Sequence, residues 1–299
     1  MQLPDWLTNP ISRLGGNSGR SGAPKSTPEG GTGSASALPA SHRAQVASEE
    51  DLSIEERMAV LEERVATLAT FQSNFNHDLR SDLTAILGFI GPLVEKARSG
   101  GAADLNQLQT VEYAANHMQS LVEGARVFVA LEVGKITVSP APTDFDTLVA
   151  DIGRNAGKAA NRKGNQVKMN QLTRVGWSLI DGAKVRQILA AITSNANKFT
   201  AGGVIEINSD VVTDQSGSWI EVSVADTGVG IAKEDHERAF HVFGLARPNL
   251  RGEREGTRMS LSISRRLARL LGGDIFLCSD PGIGSTFTLR LPYVPTDAI

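Results

Sequence analysis

Between Glu49 and Phe75 the apolar residues recur at three- and four-residue spacing. Ile54, Met58, Leu61, Val65, Leu68 and Phe75 fall on the a and d positions of a heptad, with Glu and Arg between them. So narrow a seam, with no other core to join, predicts a helix that supercoils in parallel with a second copy of itself. After Leu79 the pattern restarts four residues on, with Leu83, Ile86, Ile90 and Leu93. A four-residue insertion is a stutter and locally unwinds the supercoil. Pro92 after Gly91 removes an i→i−4 hydrogen bond and predicts a bend. The run ARSGGAAD (97–104) reads as a turn ending in a helix cap, Asp104. A second helix then carries Leu108, Val111, Ala115, Met118, Val122 and Ala125 on one stripe. Two long helices joined by a short loop form an antiparallel hairpin, and two hairpins form a four-helix bundle dimer.

From about Gly134 the pattern is mixed. KITVSP, QVKMNQ, VGWSLI, GVIEINSDVV, WIEVSVAD, DIFLCSD and STFTLRLP read as strands. DFDTLVADIGRNAGKAANRKG, GAKVRQILAAITSNANKF and MSLSISRRLARLLGG read as helices. The class is α+β, with the helices on one face of the sheet. Before the heptads, residues 15–48 are rich in Gly, Ser, Pro and Ala, which predicts disorder. Trp6, Leu7, Ile11 and Leu14 before them could share one face of a short docking motif, with a frayed terminus as the plainer reading. Three regions follow: a tail over 1–48, a coiled coil and helical hairpin over 49–133, and an α/β sandwich over 137–295.

Composition narrows the function by exclusion. A net charge of −3 gives no case for nucleic acid or an anionic membrane. One cysteine, Cys278, excludes disulfide frameworks and cysteine metal sites. No apolar run approaches the ~18–20 residues of a membrane span, and the start has no signal-peptide pattern. A cytoplasmic protein is expected.

Several residues carry candidate chemistry. In the heptad register His77 falls at f, the outermost position, where an imidazole is available as a nucleophile. Asp78 beside it can orient the ring or accept its proton, and Ser81 lies one turn further along the same face. Asn195 and Lys198 share a helix face, an amide oxygen and an ammonium that suit a magnesium–phosphate pair. A strand delivers Asp226 to a turn with Gly228 and Gly230, where a carboxylate can accept a hydrogen bond from an adenine amino group. REGTRMSLSI looks like a phosphate loop that opens with Gly256 but carries Arg258 and Ser260 where more glycine would be usual.

The segment FNHDLRSDLTAILGF resembles the H-box of sensor histidine kinases: His77, Asp78, Leu79, Arg80 and Leu83 match, while Asp82 replaces the usual proline. RQILAAITSNANKFT and VSVADTGVGIA resemble the N-box and first glycine box of the histidine-kinase catalytic domain, a relative of the gyrase and chaperone ATPases. HERAFHVFG resembles the phenylalanine box through Phe240 and Phe243, and GTRMSLSISRRLARLLGG the second glycine box. The resemblance implies His77 as phosphoacceptor, Asp78 as the assisting acid, and Ser81 as the residue orienting water for dephosphorylation of a partner. It also implies ATP and magnesium as cofactors. Asn195 would help bind magnesium, Lys198 would approach the phosphates, and Asp226 would bind adenine with Thr286 nearby. Gly228 and Gly230 would shape the adenine pocket, and Gly256 would begin the lid. The implied partners are a second copy of the chain, a response regulator receiver domain and an upstream sensor protein.

The departures have different consequences. Ala191 stands where the N-box usually has its first asparagine, which removes one polar contact. Arg258 at a positive-φ position costs on the order of 1 kcal/mol, and its guanidinium can pair with phosphate. Ser260, read as the cap of the following helix, can itself donate to phosphate. Two readings compete: an active histidine kinase, and a phosphotransfer or scaffold protein with a weakened ATP site.

Overall fold

The computed structural model describes residues 53–102, 104–161, 163–242 and 259–296. The tail read as disordered, Phe243, Gly256 and Arg258 lie outside them. The chain divides into two compact units, residues 1–64 and 65–299. Of the first, the described part is the start of helix α1 (Ile54–Arg98). That start is a reciprocal cap: the Ser53 N–H donates to Glu56 Oε2 at 2.8 Å, and the Glu56 N–H to Ser53 Oγ at 3.2 Å. The S-x-x-E pattern therefore satisfies two of the N–H groups that every helix start leaves open. Ile54, Met58 and Leu61 of the predicted seam are all exposed.

In the second unit α1 continues without interruption to Arg98, with Pro92 inside it. It ends where Gly100 takes φ +78° and the Gly101 N–H returns to the Lys96 carbonyl at 2.9 Å. Helix α2 (Leu105–Glu132) starts at the predicted cap, with Asp104 accepting from the Asn106 N–H. The two helices pack antiparallel: Phe71 stacks on Phe128 at 4.5 Å, and Asp82 meets His117 at 2.8 Å. The side of α2 that packs within the chain is not the predicted stripe. Ala114, Leu121 and Phe128 are buried, whereas Leu108 and Val122 of the stripe are exposed. α2 has two apolar sides: Leu108 and Val122 of the expected stripe stay open together with Leu83, Leu87, Ile90 and Val94 of α1, while Ala125 of that stripe packs against the core.

The remainder is built from β1 (Ala141–Asp144), α3 (Phe145–Asn161), β2 (Gln166–Gln171), β3 (Trp177–Ile180), α4 (Gly182–Phe199), β4 (Val204–Asp214), β5 (Gly217–Asp226), α5 (Ser260–Leu270), β6 (Asp274–Asp280) and β7 (Gly284–Pro292). A five-stranded sheet runs β2-β4-β5-β7-β6, with only β2–β4 parallel, while β1 and β3 form a separate antiparallel pair. KITVSP is not a strand. Pairing with the four-residue β3 starts only at Ala141, and the Ser139 N–H is instead held by Asp181 at 3.0 Å. Strand alternation turns Ile205, Ile207, Val222, Val224, Phe287 and Leu289 toward the helices, where they join Ile188, Ile192 and Leu267 in one core. The opposite face is polar, with an Asn170–Asn208–Ser223 hydrogen-bonded row.

α4 is placed by its cap. The buried Asp181 accepts from the Lys184 N–H at 3.1 Å and binds its ammonium at 2.6 Å. α5 starts differently from expectation: Met259, fully buried, stands at its cap position, and Ser260 is the first helical residue. The core holds Met259 there, and the Ser262 hydroxyl donates to its carbonyl. α5 also rests on α2. Arg266 pairs with Glu132 and lies over the Phe128 ring at 5.0 Å, and a side chain at Gly124 would meet Met259 at 2.9 Å.

Candidate functional site

Three groups of residues are assembled. The first surrounds Asp226 at the end of β5, which is 4% exposed. Burial raises its pKa to about 6, opposed by hydrogen bonds from the N–H groups of Gly228, at 2.8 Å, and Ser285. The turn after it can close only with glycine. A Cβ at Gly228 would lie 2.4 Å from the Phe199 carbonyl oxygen, and one at Gly230 (φ +68°) 2.0 Å from that of Asp280. The loop is thereby fixed on the C-terminal end of α4, where the Val229 N–H donates to the Phe199 carbonyl.

Thr286 is not the residue beside this carboxylate. It stands opposite Ala225, while Ser285 stands opposite Asp226. Because side chains alternate along a strand, Thr286 faces the other side of the sheet. Ser285 instead joins Ser279, whose hydroxyl donates to the Gly284 carbonyl and accepts from the Ile231 N–H, both at 2.7 Å. No local pattern in the sequence marks Ser285 and Ser279. The register was their only signal, and it becomes visible once β5, β6 and β7 are paired.

The second group faces a cleft of about 370 Å³ between α4 and α2. Asn195 and Lys198 lie on its α4 wall with Ser260 and Lys163, while Tyr113 and His117 lie on the α2 wall. The expected helix face is thus real, and Ser260 joins it, 3.5 Å from the Asn195 amide. Ala191 also lines the cleft and offers no polar atom. Asp226 is not among the lining residues. The donor set suits a polyphosphate with magnesium, which takes oxygen ligands and keeps several waters, so that one protein amide oxygen can suffice. Among the described residues no cluster of three or more His, Cys, Asp or Glu side chains could hold a metal alone.

The third group is on α1. His77 is 69% exposed and its Nδ1 lies 3.2 Å from Oδ1 of Asp78, which is 10% exposed. The neighbouring buried carboxylate therefore fixes one ring nitrogen and leaves Nε2 for chemistry. Ser81 is exposed one turn further on. His77 is not among the residues lining the cleft. Asp82, in place of the proline, makes the contact to His117 across the hairpin, which no local pattern announces.

A family model described as histidine kinase-, DNA gyrase B-, and HSP90-like ATPase matches residues 180–295. Among curated proteins, sensor histidine kinase GacS of Pseudomonas protegens is 31% identical over 232 residues, covering 76% of this chain and 25% of its own length. Aerobic respiration control sensor protein ArcB of Escherichia coli is 30% identical over 224 residues, covering 74% and 28%. The chain thus spans about a quarter of the length of these relatives. Among solved structures, histidine kinase ThkA in complex with response regulator protein TrrA matches with a TM-score of 0.60 at 20% identity, covering 78% of this chain and 64% of that one. Acinetobacter baumannii histidine kinase AdeS matches with a TM-score of 0.56 at 19% identity, covering 73% and 98%. The last two likenesses show the same fold of hairpin and catalytic domain. With the ordered motifs, the buried Asp226 and its glycine turn, and the matched relatives in agreement, the chain belongs to the sensor histidine kinases and carries their ATP-binding catalytic domain.

Proposed function

We propose that this protein is a cytoplasmic, homodimeric histidine kinase that transfers the γ-phosphoryl group of ATP to His77 and then to an aspartate of a response regulator. The observation that carries the reading is the His77–Asp78 pair, an exposed imidazole with a largely buried carboxylate on Nδ1. Nε2 attacks the γ-phosphorus as its bond to the β–γ bridging oxygen breaks and ADP leaves, and Asp78 accepts the Nδ1 proton so that the phosphorylated ring ends neutral. Asp226 receives the adenine amino group in a site that burial and glycine backbone have already shaped. Lys198 and Lys163 neutralise phosphate charge from the cleft wall. Asn195 supplies the protein oxygen for magnesium, whose role is to offset charge on the phosphates. Ser81 orients the water that removes phosphate from the regulator. The apolar side chains left open on α1 and α2, Leu83, Leu87, Ile90, Val94, Leu108 and Val122, support the homodimer, since nothing among the described residues covers them. Among the described residues no helix is long and apolar enough to cross a membrane.

The test is labelling with γ-labelled ATP and magnesium, beside His77→Ala. Acid-labile label on the wild type that falls steeply in the variant supports the proposal. Absence of both label and nucleotide binding would sink it. Ala191 in the cleft favours a second reading, a scaffold with weakened nucleotide handling. In that case an Ala191→Asn variant, with Arg258→Gly and Ser260→Gly added, should gain labelling that the wild type lacks.

A further inference from the structure

The hairpin contains a second imidazole–carboxylate pair. His117 Nδ1 lies 2.8 Å from Oδ2 of Asp82, closer than His77 lies to Asp78, and the two side chains are 11% and 13% exposed. Its other nitrogen, Nε2, is buried and has no hydrogen-bond partner among the described residues. A buried ring nitrogen without a partner is costly, and a packed hairpin could have used an apolar residue there. The ring is held flat by Tyr113, stacked at 6.0 Å with 6° between planes. Both residues form the wall of the cleft that faces Asn195, Lys198, Lys163 and Ser260. The cleft therefore places two ammonium groups on one side, suited to phosphate, and a carboxylate-oriented imidazole on the other.

The geometry points to His117 as a second phosphoacceptor, served by the nucleotide whose phosphates occupy this cleft. The inference rests on reading the cleft as the phosphate end of the ATP site. With Nδ1–H donated to Asp82, the Nε2 lone pair attacks the γ-phosphorus. An N–P bond forms as the bond from phosphorus to the β–γ bridging oxygen breaks, and ADP leaves with that electron pair. The Nδ1 proton passes to the Asp82 carboxylate, so the phosphorylated ring ends neutral. Because Nε2 is buried, the step takes place when the α2 wall moves away from α4 far enough to admit the phosphoryl group. Asp82, which replaces the H-box proline, is then the positioning residue of this second acceptor.

The experiment uses the full chain as wild type, His77→Ala, His117→Gln, Asp82→Asn and the His77→Ala/His117→Gln double variant. Each is incubated with γ-labelled ATP and magnesium. Each is also incubated separately with phosphoramidate, which phosphorylates imidazoles without nucleotide. Phosphopeptides are mapped under alkaline conditions, and circular dichroism and binding of a fluorescent ATP analogue confirm that each variant is folded. His77 is largely exposed, so its removal leaves the fold intact. The expected result is acid-labile phosphate on His117 in His77→Ala, lost in the double variant. Asp82→Asn should lower that label while phosphate on His77 persists. Label confined to His77, with His77→Ala binding nucleotide yet unmarked, overturns the second acceptor and leaves the kinase reading standing. Where ATP marks neither histidine, the phosphoramidate arm decides. Phosphate on His117 then supports the acceptor while the kinase reading falls, and its absence overturns the acceptor as well.

Discussion

Asp226 offers the sharpest test, because its environment sets both stability and binding. Burial raises its pKa from 3.8 to about 6, which penalises the charged form of the folded protein. Between these two values the folded state holds more protons than the unfolded chain, so stability falls as pH rises through this window. Moving the titration point from 3.8 to about 6 corresponds to about 3 kcal/mol lost by pH 8 relative to pH below 4. Asp226→Asn removes the ionisation but keeps one acceptor for the Gly228 and Ser285 N–H groups. The second of those bonds is lost, at a cost of roughly 1–3 kcal/mol for a charged acceptor. The variant should therefore be within about 2 kcal/mol of wild type at pH 8. Wild type should gain on the variant as pH is lowered from 8 to 5. Urea melts of both proteins across that range measure the difference, and other titrating groups cancel between them. A difference that is flat, or a wild-type advantage that grows with pH, would refute the reasoning. If the carboxylate accepts from adenine, ATP affinity should also weaken as pH falls below about 6.

Gly228→Ala should cost about 1–3 kcal/mol and abolish nucleotide-analogue binding, because its Cβ meets the Phe199 backbone carbonyl, which cannot rotate away; thermal melts and fluorescence titration check both effects. Phe128→Ala should cost about 3–5 kcal/mol, since the fully buried ring stacks on Phe71 and underlies Arg266, and a chemical melt without a large drop in midpoint would contradict that packing. Leu61→Asp places a charge in the exposed heptad seam, so sedimentation should show loss of dimer with helix content otherwise retained; an unchanged dimer would mean that the seam does not hold the copies together.

Much of this architecture is legible in the linear chain because its causes are local. The α4 boundaries read from GAKVRQILAAITSNANKF coincide with the observed Gly182–Phe199, since an amphipathic period and the Asp181 cap act within a few residues. The β4–β5 hairpin and the β6–β7 pair follow from alternation and turn residues in the same way. Expectation failed where the partner is distant. KITVSP has strand composition, yet no strand among the described residues pairs with it, and the adjacent APTD pairs with β3 instead. Ser260 has the chemistry of a cap, but the burial of Met259 starts the helix one residue earlier.

The same division runs through the site. The sequence by itself determined the candidate groups: His77 with its neighbour Asp78, the Asn195–Lys198 face, and Asp226 with its two glycines, all within one helix or one turn. Only the tertiary structure decided which strand position meets Asp226. It chose Ser285 over Thr286, because a one-residue change of register moves a side chain to the other face of a sheet. Only the packing of α2 against α1 and α5 set His117, held by Asp82, across one cleft from Lys198. Such contacts join residues far apart in the chain, and no periodicity in the sequence records them.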